Sequence, residues 1–165
     1  MIFVTVGNAT QQFARLLQAV DELSGSGFFK SQKVLVQTGH NAYILLRHCE
    51  QQAFLGLDEF ERHIQDAEMI ICHGGCGTLL YAARSGKTPV VMPRRKKYGE
   101  HVNDHQLQLV NELASQGRVV PAYEAEDLPG AIVEARERNA HSPALPPPPM
   151  INLVAQAINQ LLGLQ

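Results

Sequence analysis

The chain has 165 residues, 45% of them hydrophobic and 18% charged, which is enough for one domain with its own core. A formal charge of -2 excludes the basic field of a nucleic-acid binder, and 6% aromatics with no Trp exclude a base-stacking platform. No apolar run approaches the roughly 20 residues of a membrane span, and the three cysteines (Cys49, Cys72 and Cys76) show no pairing logic, so a reducing cytoplasm is expected.

Ile2 to Val6 is a β-branched apolar run closed by Gly7, and it reads as a buried first strand rather than a secretory leader. Thr10 is a candidate N-cap for a helix carrying Phe13, Leu16, Leu17, Val20 and Leu23, which Ser24 to Gly27 stop. Val34 to Val36 is the second strand, closed by Thr38-Gly39. Asn41 to Leu57 has no clear period, and Ala53 to Leu55 is its best strand candidate. Asp58 then caps a helix with Phe60, Ile64 and Ala67 on one face. Met69 to Cys72 is a strand, followed by a glycine turn, a helix from about Thr78 to Ser85, and a strand from Thr88 to Met92 that Pro89 weakens at its start.

Beyond a polar, basic loop from Pro93 to Glu100, a helix from about Val102 carries Leu107, Val110, Leu113 and Ala114 and ends at Gly117. Arg118 to Val120 is a last strand, and Glu126 to Arg138 reads as a solvated helix. The domain is expected over 1–140, with a Pro-rich linker at 141–149 and an amphipathic helix at 150–165 that packs on the domain or on a partner. Alternating strands and helices predict an α/β fold, a Rossmann-like open parallel sheet with helices on both faces. Its site is expected at the carboxyl ends of the strands, where Gly7, Gly39, His73 to Gly75 and Pro93 share one rim.

His73-Gly74-Gly75-Cys76-Gly77-Thr78 stands between a strand and a helix, and suits an anion held by backbone N–H groups plus a hydroxyl. Two other phosphate signatures fail. Gly86-Lys87-Thr88 resembles the end of a Walker A loop, but the first glycine of that motif would be Tyr81. The first turn, Gly7 to Thr10, has one glycine of the three a dinucleotide fingerprint needs. Zinc is not expected, since Cys72, His73 and Cys76 lack a second cysteine pair. Cys76 as a nucleophile is a remote option. Gly99 to Gln106 gathers carboxylates, imidazoles and amides that suit sugar hydroxyls or a diphosphate. The same residues also suit an ordinary helix start capped by Asn103 or Asp104. Arg94 to Lys97 reads as a solvated run, or as a cluster for a diphosphate or anionic lipid.

Taken together, His73 to Thr78, Gly86-Lys87-Thr88-Pro89, Pro93-Arg94 and Gly99 to Gln106, with Met1 to Gly7, Phe13, Arg15 to Leu17 and Val36 to Gly39, resemble the C-terminal domain of family 28 glycosyltransferases over about residues 1–130. The resemblance implies the donor lobe of a GT-B enzyme, and most resembles stand-alone donor subunits of two-component transferases. It implies an inverting hexosyltransferase using a UDP-sugar, without metal or other cofactor. It further implies a membrane-associated acceptor-lobe protein as partner, a lipid-linked sugar acceptor and no nucleic acid. The chain would be cytoplasmic, recruited to the membrane face by that partner. Donor contacts would be Gly7, His73, Gly74, Gly75, Cys76, Gly77, Thr78, Tyr81, Arg94, Glu100, His101, Asn103, His105 and Gln106. Catalytic candidates are His101, Glu100 and His105. The family commonly has Glu where Tyr81 stands, and bacterial members often have Gly-Thr-His where Gly7-Asn8-Ala9 stands. A non-catalytic nucleotide-sugar-binding or regulatory subunit is therefore the alternative.

Overall fold

The computed structural model describes residues 1–141; the linker expected at 141–149 and the helix at 150–165 lie outside the described residues, save that the last helix runs through His141. Six parallel strands form one sheet: β1 (Ile2–Thr5), β2 (Val34–Gln37), β3 (Glu50–Gln52), β4 (Met69–His73), β5 (Val90–Met92) and β6 (Val120–Pro121). Their order is β3-β2-β1-β4-β5-β6. The chain therefore reverses direction across the sheet between β1 and β4, which opens a crevice beyond their carboxyl ends.

Side chains alternate between two faces, as a pleated strand requires. Ile2, Val4, Val36, Ile71 and Met92 meet α1 (Ala14–Gly25) and α5 (Leu128–His141) on one side. Phe3, Leu35, Ile70, Cys72 and Val91 meet α2 (Leu57–Asp66), α3 (Cys76–Arg84) and α4 (His105–Ser115) on the other. The doubly covered parallel sheet is the expected fold.

Several local expectations are corrected. Ala53 to Leu55 is not the third strand; the strand is the exposed segment Glu50–Gln52, paired only to β2. It is a polar edge strand, so no apolar run marks it. Thr10 does not cap α1. Asn41, arriving from beyond β2, accepts the Phe13 N–H through its Oδ1 at 2.8 Å. Gly56, not Asp58, occupies the N-cap of α2. The last helix is not merely solvated, since Leu128, Ala131, Ile132 and Ala135 are buried against the sheet. α4 starts at His105 rather than Val102, because Asn103 Oδ1 accepts the His105 N–H at 3.2 Å and Asp104 Oδ1 accepts the Lys96 N–H at 3.0 Å.

A charged knot fastens the rim. Arg94 is fully buried, and its guanidinium donates to the carbonyls of Val6, Gln11 and Glu100 at 2.9–3.1 Å while stacking 4.7 Å from the Phe13 ring centroid. The Glu100 carboxylate is also buried; it accepts two bonds from Arg15, at 2.9 and 3.0 Å, and one from the Arg95 N–H at 3.0 Å. Arg15 continues to the carbonyls of Pro93 and Tyr123. The exit of β1, the start of α1 and the loop after β5 are thus locked to one another. Removing one partner of a buried pair strands the other, so Glu100→Ala should lower unfolding free energy by about 3 kcal/mol in urea titrations. A loss under about 1 kcal/mol would mean that the knot is dispensable.

Candidate functional site

A cleft of about 440 Å³ opens at the switch point. Its floor is the carboxyl ends of three adjacent strands: Thr5 of β1 with Gly7 just beyond it, Gln37 of β2 and His73 of β4. One wall is the first turn of α3, with Gly77 and Thr78. The opposite wall is apolar: Phe54, Leu55, Leu57 and Phe60, with Tyr81 one turn into α3. α3 follows a buried strand because Gly75 sits at its N-cap in an extended conformation with no side chain capping it. The first helical bond runs from the Leu79 N–H to the Gly75 carbonyl. The N–H groups ahead of it have no helical acceptor, and the helix dipole adds partial positive charge there.

His73 explains the glycines. Its ring lies between the turn after β1 and the turn before α3, so that a Cβ on either Gly7 or Gly75 would overlap it. Gly7 also has φ +72°, which disfavours any side chain. A Cβ on Gly39 (φ +55°) would overlap the Gly7 carbonyl, so the two strand-end turns stack directly. Gly74 lies against Gln106 and Val110 of α4, on the far side of the turn. Burial, then the nearby Arg94 charge, pull the His73 imidazole down to about 4, so it is neutral at pH 7. None of the twelve residues lining the cleft then carries a full charge.

Gly7, His73, Gly77, Thr78 and Tyr81, expected together, all line the cleft. Gly74 and Gly75 shape the turn behind it, and Cys76 is exposed at the helix start. Arg94 and Glu100 do not line the cleft: both are buried in the knot, where Arg94 Nη1 and Nη2 donate to carbonyls while its buried Nε has no partner among the described residues. His101, Asn103, His105 and Gln106 belong to the α4 entrance rather than the cleft lining; His101 Nδ1 lies 3.2 Å from the Asn103 carbonyl oxygen, and Gln106 Oε1 accepts the Arg94 N–H at 3.1 Å. Thr5, Asn8 and Gln37 are polar cleft residues that the site prediction omits, although the rim argument that selected Gly7 and Gly39 applies equally to them.

The basic run does not stand as a free cluster, since Arg94 is buried and Arg95 and Lys97 share one carboxylate. Glu124 takes bonds from Arg95, Lys97 and Tyr98 at 3.0–3.2 Å, which leaves no cationic patch of four. Lys87 donates to the carbonyls of Ile64 and Gln65 at the end of α2, a structural use that leaves nothing of a Walker lysine. Cys72 is fully buried and its thiol is pushed up to about 12 by that burial. Among the described residues no group of three or more His, Cys, Asp or Glu converges. Nor is any helix among them long and apolar enough to cross a membrane. Tyr81 stands with its ring edge-on to Phe60 at 5.7 Å, and a hydrogen bond to Glu61 holds its phenol above the ordinary range.

The fold is shared with solved glycosyltransferases of the GT-B class. The glycosyltransferase of kitacinnamycin superposes with a TM-score of 0.62 at 18% identity over 84% of this chain and 35% of that one. The calicheamicin glycosyltransferase CalG4 gives 0.54 at 15% over 97% and 43%. SnogD from Streptomyces nogalater gives 0.52 at 21% over 94% and 43%. The chain therefore has the architecture of one lobe of such an enzyme. The sequence profile of the glycosyltransferase family 28 C-terminal domain matches residues 1–152, and the chain belongs to that family. It is 30% identical over 125 residues to the UDP-N-acetylglucosamine transferase subunit ALG13 of Yarrowia lipolytica, which covers 68% of this chain and 60% of that protein. Over 123 residues it is 26% identical to the subunit of the same name in Homo sapiens, covering 72% of this chain and 10% of that protein.

The His73 environment fixes a pH dependence. With a folded value near 4 against an ordinary 6.5, the unfolded chain binds the proton first as pH falls. The stability linked to His73 is therefore complete above 6.5 and is lost as pH falls toward 4, by about 3 kcal/mol in total. In urea unfolding between pH 7 and 4, His73→Gln should lose distinctly less stability than the parent. Parallel pH profiles would contradict a buried neutral imidazole.

Proposed function

We propose that this chain is the donor-binding lobe of an inverting glycosyltransferase that uses a UDP-sugar and works with a separate, membrane-associated acceptor-lobe protein. The acceptor is a lipid-linked sugar brought by that partner, which recruits this chain to the cytoplasmic face of a membrane. Family membership and the names of the two relatives, each a UDP-N-acetylglucosamine transferase subunit, support a hexose-type donor, with the N-acetylated sugar as first candidate. The observation that carries the reading is the helix N-terminus of α3 facing an apolar wall of Phe54, Leu55, Leu57 and Phe60 across one cleft.

In this reading the diphosphate sits on the N–H groups of Gly75 to Thr78, and the base lies against Phe54 and Leu55. As the sugar leaves, charge builds on the β-phosphate. Fixed N–H dipoles and the helix terminus meet it without reorganising, the effect of an oxyanion hole. The cleft lining holds no carboxylate, and no metal is required for this charge balance. The base that deprotonates the acceptor is on the partner lobe or is His101 or His105; Glu100 is committed to Arg15 and the Arg95 N–H.

Tyr81 favours a second reading, a subunit that binds nucleotide sugar without transferring it. UDP should raise the melting temperature more than ADP or GDP, and EDTA should leave the shift unchanged. No shift with any uridine nucleotide would sink the proposal. Co-expression with an acceptor-lobe protein should yield transfer from a UDP-sugar. Nucleotide binding without transfer would favour the second reading, and tighter UDP binding by Tyr81→Glu would mark the site as eroded.

A further inference from the structure

Gln37 is a buried polar group whose carbonyl oxygen is left over among the described residues. It ends β2, lines the cleft and is only 5% exposed. Its Oε1 is closed off from water and has no hydrogen-bond partner among the described residues. Buried amides are nearly always paired, because an orphaned carbonyl loses its hydration for nothing. A leucine or methionine would fill the same space without that loss. Thr5, its register partner on β1, accepts the Gly7 N–H through Oγ1 at 3.3 Å and makes no bond to the Gln37 carbonyl.

Position decides which part of a ligand Gln37 could meet. Neighbouring strands lie about 4.8 Å apart, so β2, two strands from β4, lies about 10 Å from the strand that runs into the anion seat. A diphosphate on the first turn of α3 does not reach that far, whereas a base attached through a ribose does. Phe54 and Leu55, which follow the next strand over, supply flat apolar surface on the same side of the cleft. We infer that Gln37 reads the edge of the ligand's base. The Gln37 carboxamide, an N–H beside a C=O, meets an edge with a carbonyl beside an N–H, as on the imide side of uracil. Rotation about the terminal torsion turns either end of the amide toward the cleft. The inference rests on the nucleotide-sugar reading above.

Calorimetric titration of the full chain with UDP and with 3-methyl-UDP, whose methyl group removes the imide donor, tests this directly. The parent protein should prefer UDP by about tenfold. Gln37→Leu should bring the two affinities within about twofold of each other, while melting no lower than the parent because the orphaned carbonyl is gone. Gln37→Met, of equal length, replaces it if the leucine variant does not fold. A merely structural Gln37 would weaken both ligands alike, and an unchanged ratio in the variant overturns the inference alone. Equal affinity of the parent for both ligands overturns it as well. Failure of the parent to bind UDP overturns the nucleotide-sugar reading, and this inference with it.

Discussion

Burying the Arg94 guanidinium is the constraint on which the rim depends. An arginine stripped of water is tolerated only where carbonyls and carboxylates replace that water, and its planar fork must meet them in fixed directions. Val6, Gln11 and Glu100 supply those acceptors, from the turn after β1 and the loop after β5. Seating one guanidinium therefore fixes two segments that are far apart in sequence. Phe13, lying between the charges of Arg94 and Arg15, brings α1 into the same arrangement. The positions of Gly7 and of the glycine turn beyond His73 follow from this, since His73 fills the space between them. Burial, reinforced by the Arg94 charge, keeps His73 neutral. One positive charge spent on structure is part of what makes the cleft beside it free of side-chain charge.

A cleft of that kind binds an anion in a particular way. Lysines and arginines would attract phosphate at long range and lose that attraction in salt. Backbone N–H groups at a helix start act at contact distance, and cost nothing to orient because the fold already orients them. For group transfer from a diphosphate this is the useful arrangement, since the charge appears where the dipoles already point. The apolar wall and the buried amide of Gln37 complete a site that is polar along its floor and at the α3 turn and apolar opposite.

The parallel sheet covered on both faces, the rim that carries the cleft and the glycine turn were legible because each leaves a local mark: β-branched runs, helical apolar spacing, and glycines at strand ends. What was not legible depends on residues far apart in the chain. Asn41 accepts the N–H of Phe13, 28 residues before it, at the entrance to α1, which no window around Thr10 can show. β3 is polar because it is an edge, so an apolar run nearby drew the assignment instead. The stripe of Leu128, Ala131, Ile132 and Ala135 was masked by the charges between its members. Arg94 and Glu100 stood beside a recognisable motif and read as ligands, yet they are buried against partners the sequence does not name. Gln37 was visible as the end of a strand, but only burial reveals that its Oε1 has no partner among the described residues.

The central claim is that the first turn of α3, facing the turn after β1, is the seat of a nucleotide diphosphate. An amide-resolved NMR titration of the full chain with UDP addresses it residue by residue. The account predicts the largest shifts at the N–H groups of Gly75 to Thr78 and of Gly7 and Asn8, with smaller ones at Phe54 and Leu55. Shifts centred on Arg95 to Lys97 or on the α4 entrance, with the glycine turn unmoved, would contradict it.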